Sequence, residues 1–286
     1  MSPSTLSFIS ARPMRVLPGF GLSLGISLTF VSLVLLLPLT GLVGQLSKLS
    51  LAEYWHVITE PRVVASYVTT IGAAAAAALI NAAFGLLLAW VLVRYEFPGK
   101  RLLDALMDLP FALPTAVAGI TLATLYSSSG WMGKALAPFG IEVSYTWVGI
   151  ALAMAFTSIP FVVRTVQPIL EDLPAEVDEA AMTLGARDGV AFRRVILPHL
   201  WPALVTGTGL AFVRSLGEFG AVIFIAGNMP FETEITSLMI FVKLQEYDYA
   251  GASAIASVVL ATSLGLLLAI NLWQGRFIRR LHGGNS

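Results

Sequence analysis

Two charged residues inside an oily stretch are the first place where this sequence could do chemistry. Arg214 and Glu218 lie in the apolar run 203–226. They are four residues apart, which puts them on one helix face within reach of an ion pair. One reading has the guanidinium, with Ser215 beside it, offset the desolvation of a passing dianion along a translocation path. The other has Arg214 and Glu218 neutralise each other and lock helix packing or a gate. The second reading leads, because a neighbouring carboxylate removes much of the positive potential an anion needs. Gly207, Ala211, Gly217 and Ala221 surround the pair with small residues, so it belongs inside a bundle or at a subunit interface. Lipid exposure of such an arginine costs at least about 2.5–3.5 kcal/mol.

Other chemistries find little support. Asp104, Asp108 and Glu218 are the only carboxylates that invite an acid–base reading, and no nucleophile or metal set accompanies them. The chain has no cysteine, which excludes disulfides, thiol catalysis and cysteine-based zinc sites. His56, His199 and His282 are far apart and read as solvated or interfacial residues. No stretch matches G-x-x-x-x-G-K-[ST], the loop whose N–H groups cradle nucleotide phosphates. Gly99-Lys100 and Gly133-Lys134 lack its leading glycine and trailing hydroxyl residue. ATP, if used, binds another subunit, and no cofactor is expected in this chain.

The longest polar interruption is EDLPAEVDEAAMTLGARDGVAFRRVILPHLW, Glu171 to Trp201. Pro174 can start a helix, where its missing N–H costs nothing. Glu176, Asp178 and Glu179 load the first turns with the negative charge that the helix dipole favours there. Gly185 can stop the helix in a left-handed cap. Asp188 can cap a second helix carrying Arg193 and Arg194, which should end before Pro198. The prediction is a helix, a glycine turn and a helix. Ala180 and Ala181 beside Glu179 let the first helix lie close to another surface while one carboxylate reaches a partner.

The elements around these residues are membrane spans. The chain is 57% hydrophobic and 12% charged, with mean hydropathy +0.82, whereas soluble domains carry about 25% charged residues. Seventeen basic and seventeen acidic residues cancel, so charge gives no case for nucleic acid. An all-α polytopic membrane protein follows, with six helices over about 20–43, 63–93, 102–126, 145–163, 203–226 and 250–273. Crossing a bilayer takes roughly 20 residues in a helix, and the second span is longer than needed. The first is longer than a signal-peptide core and is expected to be retained. Six alanines, Ala73 to Ala78, should press one face of the second span into the bundle. Pro110 and Pro114 should kink the third. Residues 235–244 are too short to cross and read as a surface or re-entrant helix.

Six spans put both termini on one side. Apart from Arg214, only Lys48, Arg62, Lys134 and Lys243 then fall on the far side, against twelve basic residues with the termini and the hairpin. The positive-inside rule makes the twelve-residue side cytoplasmic. The expected organisation is 1–62 as tail, first span and periplasmic connection, 63–274 as a core containing hairpin 171–201, and 275–286 as a basic tail.

A resemblance sharpens this reading. Glu179-Ala180-Ala181, three residues, Gly185, nine residues, Val195, one residue and Leu197-Pro198 is similar to the EAA loop of bacterial ABC importer permeases. Val195 stands where an isoleucine is usual there. The runs from Asp108 to Pro114, Phe156 to Pro168, Ser215 to Asn228 and Leu244 to Ser257 resemble the T-type permeases of sulfate/thiosulfate importers. The likeness covers the chain from about Val16 to the basic tail. It implies a type I ABC importer permease fold whose EAA loop docks on a separate ATPase, with Glu179, Ala180, Ala181, Gly185, Leu197 and Pro198 as coupling residues. It also implies a second permease of W type, an ATPase dimer carrying ATP and magnesium, a periplasmic sulfate- or thiosulfate-binding protein, and the inner membrane. A molybdate or tungstate permease is the alternative in the same class. A stand-alone secondary transporter or channel is the alternative in another class, and such a carrier has no need of an EAA loop.

Overall fold

The computed structural model describes residues 19–174, 183 and 185–282. The chain forms two compact units, Met1–Lys48 and Leu49–Ser286. The first contributes helix α1, Phe20–Leu46. At ~1.5 Å per residue its 27 residues span about 40 Å, enough to cross a bilayer.

The second unit begins with α2, Leu51–Ile58, closed by a reciprocal cap. The Ser50 N–H donates to Glu53 Oε2 at 2.8 Å, and the Glu53 N–H donates to Ser50 Oγ at 3.2 Å. The Ser50 backbone N–H, and less so the Ser50 hydroxyl, holds the Glu53 carboxyl below the usual glutamate range. Then come α3 (Pro61–Arg94), α4 (Lys100–Met107), α5 (Leu109–Ala112), α6 (Thr115–Tyr126), α7 (Trp131–Leu136) and α8 (Trp147–Glu171). After the hairpin region follow α9 (Gly189–Leu216), α10 (Val222–Ile225), α11 (Thr236–Gln245) and α12 (Tyr249–His282). The described residues hold only helices, turns and irregular segments.

Helix α8 is the axis of this unit. Of its apolar window 61% is buried, against 33% for α3 and 28% for α9, the two long helices it packs on. Ala73, Ala74, Ala77 and Ala78 form the buried stripe of α3, as the alanine run predicts, and the first three pack in one cluster with Ile150 and Met154 of α8. Gly85 lies so close to Val162 that an added Cβ would have to displace it. Small residues thus bring the backbones of α3 and α8 together, the usual basis of helix association in lipid.

Five helices among the described residues are long and apolar enough to cross a membrane: α1, α3, α8, α9 and α12. The expected third span, 102–126, is instead three shorter helices. Leu113 is extended at φ −88°, ψ 135°, because the following Pro114 disfavours the helical region for it. The kink is therefore a break. Helix α11 is too short to span, and it packs on α3 and α12.

The fifth span is also displaced from its expected bounds. Helix α9 does not stop before Pro198 but runs through it to Leu216, so the second hairpin helix and the fifth span are one element. A widened π-type turn over Phe192–Ile196 precedes Pro198, as another over Ser32–Leu36 precedes Pro38 in α1. In a regular helix the proline ring would strike the carbonyl four residues back. Widening that turn lets both helices continue.

Candidate functional site

Glu179, Ala180 and Ala181 of the hairpin lie outside the described residues. Gly185 has φ +81°, with nothing within 4 Å of where a Cβ would stand. The need for glycine there is thus one of backbone conformation, not space. Leu197 is half-buried and Pro198 exposed. Beneath the hairpin, Leu170, Leu173, Ile196 and Leu200 form one buried cluster with Leu92 of α3 and Val163 and Val166 of α8. The described start and end of the hairpin therefore stand on one apolar base.

Beside this base sits a polar constellation that the sequence reading did not assemble. Arg164 of α8 makes five hydrogen bonds. Nε donates to Asp108 Oδ1 at 2.9 Å and Nη2 to Asp108 Oδ2 at 2.7 Å. Nη1 donates to Asp104 Oδ1 at 2.7 Å and to Gln167 Oε1 at 2.8 Å, and Nη2 reaches the Asp104 carbonyl at 3.0 Å. A forked bidentate grip of this kind fixes orientation as well as distance. Phe111 of α5 meets Phe161 of α8 edge-on at 5.5 Å, a second tie between the same two parts. The four-residue spacing of Asp104 and Asp108 was the available signal. Nothing in the sequence said that its partner was Arg164, which reads simply as the charged end of a span. A 670 Å³ cleft next to the knot is lined by Glu96, Lys100, Arg101, Asp104, Gln167 and Glu171. The 95–100 turn and the hairpin end of α8 thus lie together.

Arg214, Ser215 and Glu218 do come together, but not along one helix. Helix α9 ends at Leu216 with Gly217 as its cap, so Glu218 lies in the turn beyond. The pair bridges a helix end. Arg214 Nη1 is 2.7 Å from Glu218 Oε2, a close ionic contact that lacks hydrogen-bond alignment. Glu218 Oε1 accepts the Ala221 N–H at 2.9 Å. Glu218 is 2% exposed and Arg214 33% exposed, so the acid is enclosed and the base partly open. Ser215 is fully buried and faces the packing. Its hydroxyl donates to Ser158 Oγ at 3.1 Å, while Asn81 Nδ2 donates to Ser158 Oγ at 2.8 Å and to the Ala155 carbonyl at 3.0 Å. Asn81, Ser158 and Ser215 thereby join α3, α8 and α9 just below the Arg214 turn. The sequence reading missed Asn81, a lone amide in an alanine-rich helix.

The 217–221 turn rests on the broken third span. A Cβ on Gly119 of α6 would collide with the Ala221 carbonyl, and one on Gly220 with Thr115 Oγ1. The turn carrying Glu218 and the start of α6 are therefore in backbone contact.

Residues 81–283 match the family described as the binding-protein-dependent transport system inner membrane component. The chain belongs to that family. It is thus a multi-pass membrane permease component, not an enzyme by the family's description. Among its relatives, the sulfate transport system permease proteins CysT of Salmonella typhimurium and Escherichia coli K12 are each 66% identical over 275 residues. Those matches cover 96% of this chain and 99% of each relative. A probable sulfate permease of Nephroselmis olivacea is 51% identical, over 87% of this chain and 88% of its own. Among solved structures, a bacterial ABC transporter involved in alginate import matches with TM-score 0.74 at 17% identity, over 90% of this chain and 94% of its own. An amino acid ABC transporter matches with TM-score 0.54 at 19% identity, over 76% and 94%. These likenesses show that the chain has the all-helical fold of ABC importer permeases.

Proposed function

We propose that this chain is the membrane-spanning permease subunit of an ATP-driven sulfate importer of a bacterial inner membrane, with thiosulfate as a second cargo. The observation that carries the reading is the 66% identity, over nearly the whole of both chains, to permeases named for sulfate transport. Molybdate and tungstate are not favoured by those names. The chain would form half of a translocation pathway with a second, W-type permease. A periplasmic binding protein would deliver the anion, and one subunit of an ATPase dimer holding ATP and magnesium would dock on hairpin 171–201. The six-crossing arrangement, with α4 to α6 as the third crossing and both termini cytoplasmic, is part of this proposal. It is supported by the basic asymmetry and by the cleft that puts the 95–100 turn beside Glu171.

In this reading Glu179 makes a charge-assisted contact with a basic group on the ATPase, and the left-handed Gly185 sets the angle between the hairpin helices. Arg214 and Glu218 act as a lock at the end of α9. The enclosed carboxylate holds Arg214 against the turn, so the guanidinium is not a bare anion site. The decisive experiment is to co-purify the chain with its partners and measure ATPase activity with the loaded binding protein. Stimulation by sulfate or thiosulfate but not molybdate is expected. Stimulation by molybdate alone would reassign the cargo, and failure to recover any ATPase would remove the importer reading.

A further inference from the structure

Hairpin movement has to leave the hairpin by some rigid connection. Helix α8 runs unbroken from Trp147 to Glu171, where the hairpin begins. Seven residues before that end, Arg164 grips Asp104 within α4 and Asp108 at the joint between α4 and α5. Phe161 and Phe111 repeat the tie one turn away. Helix α5 leads through the extended Leu113 into α6, whose first turns touch the backbone of the Glu218 turn at Thr115 and Gly119.

We propose that Arg164 is a positioning residue for transport, welding the α4–α5 joint to the hairpin end of α8 so that hairpin displacement reaches α6 and the Arg214–Glu218 turn. This inference rests on the permease reading above. The chemistry suits the role. A bidentate guanidinium fork resists both translation and rotation, whereas a lysine would hold the same charge as a pivot. The site is also asymmetric: α5 has four residues and is bounded by a turn and an extended residue, too short to keep its own orientation. Remove Arg164, and the edge-on Phe111–Phe161 contact is what still ties α5 to α8 among the polar and aromatic contacts described. The two extended or turn-like joints on either side of α5 could then absorb the hairpin's movement instead of passing it on.

The test uses the assembled complex in proteoliposomes and reads anion uptake per ATP hydrolysed, alongside the yield of complex. Arg164→Ala is expected to lower that ratio about 2- to 30-fold, the range for residues that modulate coupling between sites. Arg164→Lys should fall between it and the unsubstituted complex. The exchanged pair Arg164→Asp with Asp108→Arg should recover part of the ratio. An unchanged ratio overturns the proposal, including the case where uptake and complex yield fall together, which marks a purely structural residue. An exchanged pair as poorly coupled as Arg164→Ala overturns it too. If the unsubstituted complex hydrolyses no ATP, the permease reading fails instead, so the two failures are distinguishable.

Discussion

Arg214 Nη1 lies 2.7 Å from Glu218 Oε2 although the helix carrying Arg214 has already ended at Leu216. The pair therefore ties the end of α9 to the turn that follows. Glu218 is almost fully enclosed, and among the described residues Arg214 and the Ala221 N–H are what stabilise its charge.

Arg214→Ala is expected to lower the amount of assembled complex by stranding that carboxylate. Breaking a fully buried pair costs about 3–5 kcal/mol, and the partial exposure of Arg214 places this one lower, at about 2 kcal/mol. Arg214→Ala combined with Glu218→Gln should recover much of the loss, since the amide still accepts the Ala221 N–H. Complex yield and thermal unfolding in detergent provide the measure. Normal assembly with transport abolished in Arg214→Ala would instead assign the guanidinium to the anion.

At the hairpin, Gly185→Val should strain the left-handed turn by roughly 1–2 kcal/mol and misaim the docking helix, with ATPase retention lost at normal membrane levels of the chain. Gly185→Asn should be milder, because asparagine tolerates that conformation and the space around Gly185 is open. Glu179→Ala should weaken ATPase retention without affecting insertion. Full ATPase retention in both Gly185→Val and Glu179→Ala would remove the coupling role of the hairpin.

The contact between the third span and the Glu218 turn predicts a contrast between two helix glycines. Gly119→Ala would drive a methyl into the Ala221 carbonyl, and overpacking of this kind costs about 1–3 kcal/mol. Gly72→Ala would add only an ordinary contact with Trp147, at 3.7 Å. Thermal midpoints of the purified complex should drop for the first and hold for the second. Equal behaviour would mean that α6 and the turn move apart at no cost.

The buried amide gives a smaller effect. Asn81→Ala removes two hydrogen bonds among α3 and α8, and interhelical hydrogen bonds in membranes average about 0.6 kcal/mol, reaching about 1.7. Asn81→Asp should cost more, since it replaces the donor with a group that is expensive to ionise there. Denaturant titration of the complex in detergent would rank them, and an Asp variant as stable as the parent would show water reaching this layer.

Topology can be read in a chain that has no cysteine of its own. Gly189→Cys and Lys134→Cys occupy exposed positions. In intact spheroplasts an impermeant thiol reagent should label residue 134 and spare residue 189. The reverse pattern would invert the orientation drawn from the basic residues.

The sequence by itself determined the membrane character, the long helices, the buried alanine face of α3 and the left-handed turn at Gly185. Each depends on neighbours in the chain: runs of apolar side chains, a short stretch of small residues, or one residue free to take positive φ. Tertiary structure decided where helices break and which charges meet. Pro114 breaks the third span while Pro198 is passed by a widened turn, and a proline alone does not say which will happen. Glu218 looked like part of a helix face because its spacing from Arg214 is helical, yet the chain had turned at Gly217. Arg164 finds Asp108 and Asp104 across 56 and 60 residues of sequence. Such pairing is set only when α8 and the broken span come side by side, because charge and hydrogen-bond geometry act over a few ångströms and the chain order does not encode that approach.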